Sequence, residues 1–130
     1  MGAYVGIVLV SHSPGLAAGL RQLLAELGSG DVPVLLAAGT EDGSLGTSYD
    51  LIVSAVAAAD AGGGVVVLAD LGSSVLTTLA ALEDHPAEQA RLVDAPFVEG
   101  AVAAVVTAST GAALAEVVAA AEDARGYRKF

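Results

Sequence analysis

The chain has 130 residues, 55% of them hydrophobic and only 4% aromatic. That suits one domain with a core of small aliphatic side chains and excludes a disordered body. The formal net charge is −10, and residues 1–124 hold two bases against fifteen acids, a net of −13, because Arg125, Arg128 and Lys129 crowd the last six positions; this excludes nucleic acid and an anionic membrane surface as partners.

Cys is absent, which removes disulfides, thiolate chemistry and Cys-based metal sites, and neither a metal nor a cofactor is expected. The N-terminus lacks a basic segment and does not read as a signal peptide. No apolar run reaches the roughly 20 residues that span a bilayer, so a cytoplasmic location is expected.

Residues 4–10 (YVGIVLV) form a continuous apolar, β-branched run of the kind buried on both faces of a parallel sheet. Ser13 before Pro14 is a helix-start signal, and Leu16, Leu20, Leu23, Leu24 and Leu27 keep helical spacing over residues 15–27. Residues 32–38 read as a second strand. Residues 39–48 (GTEDGSLGTS) are one long loop rich in Gly and hydroxyls, followed by a helix over 48–61. A third strand spans 65–69 and a helix 73–83. A short fourth strand spans 90–93, and helices are predicted over 98–108 and 112–124. Residues 125–130 read as a frayed polar tail, so the domain is expected over 1–124.

This alternation predicts a three-layer α/β fold with a mostly parallel sheet, strand order 2-1-3-4 and helices on both faces. The switch point then lies between strands 1 and 3, where ligands bind at the carboxyl ends of the strands. His12 ends the first strand and Asp70 the third, so the order places them face to face. A carboxylate that accepts from one imidazole nitrogen leaves the other unprotonated and nucleophilic. Helix starts near Ser13 and Gly72 would aim unpaired N–H groups at the same place, which favours an anion. Ser11, Ser13, Ser73 and Ser74 add hydroxyls, with Gly39 and Thr40 of the long loop alongside. Such a His is suited to accept a phosphoryl group.

Each residue alone has a plainer reading: a His after a strand is commonly structural, and Asp70 could simply cap the next helix. His85, at a helix end before Pro86, reads as an exposed terminal His. Other chemistries fail on residue content. There is no dinucleotide fingerprint, no GxxxxGK[ST] and no GxSxG elbow. The acidic pair and late Lys of a receiver domain are missing, and so is an Arg beside the His for a histidine phosphatase.

Six segments then come in one order: Ser11-His12-Ser13, Ala37-Ala38-Gly39, Gly46-Thr47, Asp70-Leu71-Gly72-Ser73-Ser74, Ala95-Pro96-Phe97-Val98-Glu99-Gly100 and Ser109-Thr110-Gly111-Ala112. Together they resemble the phosphotransferase subunits of PTS-dependent dihydroxyacetone kinases, which share the mannose-type EIIA fold. The resemblance covers residues 4–124. It implies that His12 accepts phosphate from phospho-HPr, that Asp70 orients His12, and that the phosphate passes to ADP held in the kinase's nucleotide-binding subunit. It also implies a homodimer, for which the surface of residues 98–106 is a candidate interface. Separate HPr and enzyme I are expected, because the fused domains of some family members are not seen in this sequence. Two departures from the sugar branch favour the dihydroxyacetone branch: no strand follows the last helix, and Gly72-Ser73-Ser74 stands where sugar-type domains tend to have Gly-Gly-Ser-Pro. The alternatives are a mannose-type sugar EIIA subunit and a non-catalytic phospho-sensing regulatory domain.

Overall fold

A computed structural model describes residues 3–86 and 89–130. Met1 and Gly2, part of the segment read for a signal peptide, lie outside the described residues. The elements are β1 (Gly6–Ser11), α1 (Pro14–Leu27), β2 (Val34–Ala38), α2 (Tyr49–Ala59), β3 (Val65–Ala69), α3 (Gly72–Asp84), β4 (Ala90–Leu92), α4 (Phe97–Ser109) and α5 (Leu114–Asp123), then a 3-10 turn at Ala124–Gly126. The sheet runs β2-β1-β3-β4 with every pairing parallel, as expected from the sequence. β1 is central, pairing Val10 with Ala37 on one side and Ala69 on the other.

Alternation along the strands divides the core in two, because successive side chains leave a strand on opposite faces. Ile7, Leu9, Val66 and Leu68 pack with Leu20 and Leu24 of α1, Ala101, Ala104 and Val105 of α4, and Val117 of α5. Val8, Val10, Val65 and Val67 pack on the other face with Ile52, Ala55 and Val56 of α2 and Ala81 of α3. All six residues of β1 are buried, which is why its sequence is apolar without alternation.

The alanines on the helices let them lie close to the sheet, and Gly6 marks the closest approach. A Cβ there would stand 2.2 Å from the Ala59 carbonyl oxygen. Gly6→Ala is therefore expected to lower the unfolding free energy by about 1–3 kcal/mol, the usual cost of overpacking, measured by urea titration.

The predicted element ends shift by at most two residues, and those of β3 not at all. The last helix starts at Leu114 rather than at 112, since Gly111 takes a φ of 81° and Ala113 holds the cap position. The tail is not simply frayed. Ala124 is buried, Arg125 Nη1 lies 2.8 Å from Asp94 Oδ2, and Lys129 Nζ lies 3.3 Å from Glu99 Oε2. Among the described residues no helix is long and apolar enough to cross a membrane.

Candidate functional site

β1 and β3 end side by side, and their next residues meet. Asp70 N–H donates to the Val10 carbonyl at 3.1 Å, which extends the ladder one step and sets the Asp70 side chain beside His12. Its carboxylate then gathers donors from both chain segments. Oδ2 accepts from Ser11 Oγ at 2.8 Å and from the His12 backbone N–H at 3.0 Å. Oδ1 faces His12 Nδ1 at 2.9 Å and accepts from Ser74 Oγ at 2.8 Å and Leu71 N–H at 2.7 Å.

The Asp70 side chain is 7% exposed and that of His12 is 26% exposed. Burial pushes the Asp70 carboxyl up. The hydrogen bonds from the His12 ring, Ser11, the His12 backbone and Ser74 outweigh it and hold the group down at about 2. Asp70 is thus a carboxylate at neutral pH and can only accept, so Nδ1 of a neutral His12 carries the proton. Nε2 keeps its lone pair and points outward, where Ser73 Oγ–H donates to it.

The other predicted residues divide. Ser11 is fully buried; its hydroxyl donates to Asp70 and accepts from Ser13 N–H at 3.1 Å, so it braces the carboxylate rather than facing outward. Ser13 caps α1, accepting from Leu16 N–H at 3.2 Å. Ser74 is buried and lies 3.1 Å from Nδ1, so it too serves the Asp70 side of the ring. α3 begins at Gly72 with no side chain capping its first turn, which leaves its amide dipoles open to an anion beside Ser73. Asp70 does not cap that helix; Leu71 occupies the cap position.

Gly39 and Thr40, expected alongside the site, make their hydrogen bonds elsewhere. Gly39 donates its N–H to the Ser11 carbonyl at 2.9 Å, so it is spent in the ladder. Its φ of 70° and the 2.6 Å that would separate a Cβ from the Ser44 carbonyl oxygen explain the glycine instead. Thr40 donates its hydroxyl to Asp42 Oδ1 at 2.5 Å, within its own loop. The hydroxyl this loop does bring to the site is Thr47, with Oγ1 3.2 Å from Ser73 Oγ. Gly46-Thr47 is one of the six segments of the resemblance, but nothing in the spacing of a loop without periodic structure separates Thr47 from Thr40.

The sequence also hid a cation. Asp94, which follows β4, lines a cavity of about 430 Å³ with Asp70, and Arg125 is bound to it. A base 55 positions beyond Asp70 in sequence thus stands at the same edge of the sheet. His85 lies elsewhere, at the end of α3, with its ring centroid 6.0 Å from that of Tyr49. Among the described residues no group of three or more His, Asp or Glu could hold a metal ion.

Residues 6–118 match the protein family described as PTS system fructose IIA component, EIIA-man. The phosphoryl donor subunit DhaM of PEP-dependent dihydroxyacetone kinase 2 from Listeria innocua is 35% identical over 105 residues, 78% of this chain and 84% of that one. The phosphotransferase subunit DhaM of the PTS-dependent dihydroxyacetone kinase from Lactococcus lactis is 32% identical over 82% of this chain and 85% of its own length. The Escherichia coli phosphoryl donor subunit DhaM is 35% identical over 88% of this chain, which spans only 25% of that longer protein. The crystal structure of the unknown-function protein EF1359 superposes with a TM-score of 0.87 at 33% identity, covering 98% of both chains.

Proposed function

The chain belongs to the EIIA-man family and, within it, to the DhaM-type subunits, and from that membership we propose that it is the phosphohistidine carrier of a dihydroxyacetone kinase. His12 accepts a phosphoryl group from phospho-HPr and passes it to ADP bound in the kinase's nucleotide-binding subunit. The observation that carries this reading is the His12 ring itself, with Nδ1 held 2.9 Å from Asp70 Oδ1 and Nε2 turned outward to Ser73.

In the proposed step, the Nε2 lone pair attacks phosphorus and the bond from phosphorus to the donor atom breaks. The electron pair of that bond stays with the donor, and Nδ1 keeps its proton throughout. Catalysis is then mainly positioning and charge stabilisation. Asp70 fixes the ring, while Ser73 and the uncapped start of α3 meet the phosphoryl oxygens. The reverse step, onto the next acceptor, uses the same geometry.

A homodimer in the cytoplasm, with HPr as the donor, forms part of the proposal. The test is to load the protein with labelled phosphate from phosphoenolpyruvate, enzyme I and HPr. The loaded protein is then presented separately with the ADP-bearing kinase subunit and with a sugar-specific EIIB domain. Transfer to the kinase subunit alone supports the reading. Transfer to EIIB alone favours the sugar branch, and phosphate held without onward transfer favours a sensing role.

The surroundings of His12 suit a protein partner. Leu45 and Leu71 are 76% and 63% exposed, each next in sequence to a residue that touches the site, and Leu16 and Leu76 are exposed near the starts of α1 and α3. The double substitution Leu45→Ser, Leu71→Ser is expected to slow uptake from phospho-HPr by about tenfold or more, as truncation of buried interface anchors does. Uptake from the small donor phosphoramidate should be unchanged. Equal loss with both donors would assign the leucines to the fold rather than to docking.

A further inference from the structure

Thr47 neither holds Asp70 nor caps a helix, yet its place is well defined. The loop that carries it is tied to the site at two points and closed on itself at a third. Gly39 donates to the Ser11 carbonyl at 2.9 Å, Gly46 donates to the His12 carbonyl at 3.0 Å, and Gly39 and Thr47 form a β-bridge. The neighbouring Ser48 caps α2, accepting from Leu51 N–H at 3.2 Å, so Thr47 is not needed for that role. The Thr47 hydroxyl is instead directed at Ser73 Oγ, 3.2 Å away. Since Nε2 holds a lone pair, the Ser73 hydroxyl points its proton at Nε2, and the proton between the two hydroxyls then comes from Thr47. The chain runs Thr47 O–H to Ser73 Oγ, and Ser73 O–H to Nε2.

This arrangement has a chemical consequence. Ser73 occupies the direction in which phosphorus must approach Nε2, so the hydroxyl pair has to part before the new bond forms. Once it parts, two hydroxyl donors, Thr47 of the 39–48 loop and Ser73 at the start of α3, are freed beside the phosphoryl group. We propose that Thr47 is a second phosphoryl-binding residue: the Thr47–Ser73 pair covers Nε2 in the resting protein and, on phosphorylation, opens to donate one hydrogen bond each to the phosphoryl oxygens. This deepens the phosphocarrier reading and rests on it. The step is balanced as above, since both hydroxyls only exchange hydrogen-bond acceptors and neither loses its proton.

The test compares wild type, Thr47→Val and Thr47→Ser, each with phospho-HPr and with phosphoramidate as donor. Valine keeps the shape of threonine and removes the hydroxyl; serine keeps the hydroxyl. The expected result is that Thr47→Val takes up phosphate about tenfold or more slowly from both donors, the size of a lost hydrogen bond to a charged group. Its phosphohistidine should also show a shifted ³¹P resonance and a changed rate of hydrolysis, while the thermal midpoint stays with the wild type. Thr47→Ser should restore all three. Val behaving as wild type in uptake, resonance and hydrolysis would overturn the inference. So would a Ser variant as impaired as Val, which would mean that the methyl group and not the hydroxyl matters. Failure of the wild type to accept phosphate from either donor would instead strike the phosphocarrier reading itself, so the two failures are told apart.

Discussion

Replacing His12 by alanine is expected to abolish phosphoryl uptake and to leave the fold intact. The fold should survive because Asp70 keeps most of its donors. Ser11 Oγ, the His12 backbone N–H, the Leu71 N–H and Ser74 Oγ do not depend on the imidazole. What is lost is one hydrogen bond to a charged group, about 1.5–3 kcal/mol, from a ring that solvent already reaches. Uptake should vanish because the neighbours offer no substitute nucleophile of comparable strength at neutral pH: Ser73 and Thr47 are hydroxyls without a base once the imidazole is gone. The measurement is labelled phosphate from phosphoenolpyruvate, enzyme I and HPr, with the labelled bond checked for acid lability and alkali stability. His85→Ala is the control. Its ring sits at the far end of α3 against Tyr49, and the variant should label like the wild type. Label that persisted in His12→Ala and vanished in His85→Ala would overturn the assignment.

How far these residues were legible in the sequence follows from what kind of pattern each belongs to. β3 occupies residues 65–69 as read, because a buried parallel strand is an unbroken apolar run bounded by Gly64 and Asp70. The strand order followed from the alternation of elements, and the meeting of His12 with Asp70 followed from the order. Thr47 could not be told from Thr40, because the path of the 39–48 loop depends on interactions without period. These are the left-handed Gly39, the nearness of Pro14 that leaves no room for a Cβ there, and a turn in which Asp42 accepts from Thr40 and the Ser44 N–H.

The serines illustrate the same limit at shorter range. Ser11, Ser13, Ser73 and Ser74 look alike as hydroxyls near a site. Strand and helix geometry then sends Ser11 and Ser74 inward to Asp70, gives Ser13 to the cap of α1 and leaves Ser73 at Nε2. Arg125 is a tertiary matter altogether. Its approach to Asp94 depends on how α5 packs against α4 and the sheet, which no local pattern encodes.

Asp70→Asn is expected to cut phosphoryl uptake by up to about ten-thousandfold, the size of the loss when an orienting carboxylate becomes an amide in other imidazole-based sites. The substitution conserves shape, and the difficulty is one of donors. If the amide oxygen faces Nδ1, the amide N–H₂ confronts the backbone N–H of His12, a donor that the carboxylate oxygen now accepts. If the amide turns round, its N–H₂ faces Nδ1 and drives the imidazole proton to Nε2, which removes the nucleophilic lone pair. Either orientation also deprives the ring of the charge that supports Nε2 as phosphorus approaches.

Stability should change with pH in a way that separates this electrostatic role from packing. The folded-state pKa of Asp70 is about 2 against the ordinary 3.8, a depressed value. Between those two values the unfolded chain binds more protons at this position than the folded one. The carboxylate's contribution is therefore complete above about pH 4 and is lost as pH falls through 2, amounting to about 2 kcal/mol. Urea titrations across that window should show the wild type losing about this much more stability than Asp70→Asn, so that the two curves converge in acid. Parallel curves would mean that the carboxylate is not held by its donors as the geometry requires.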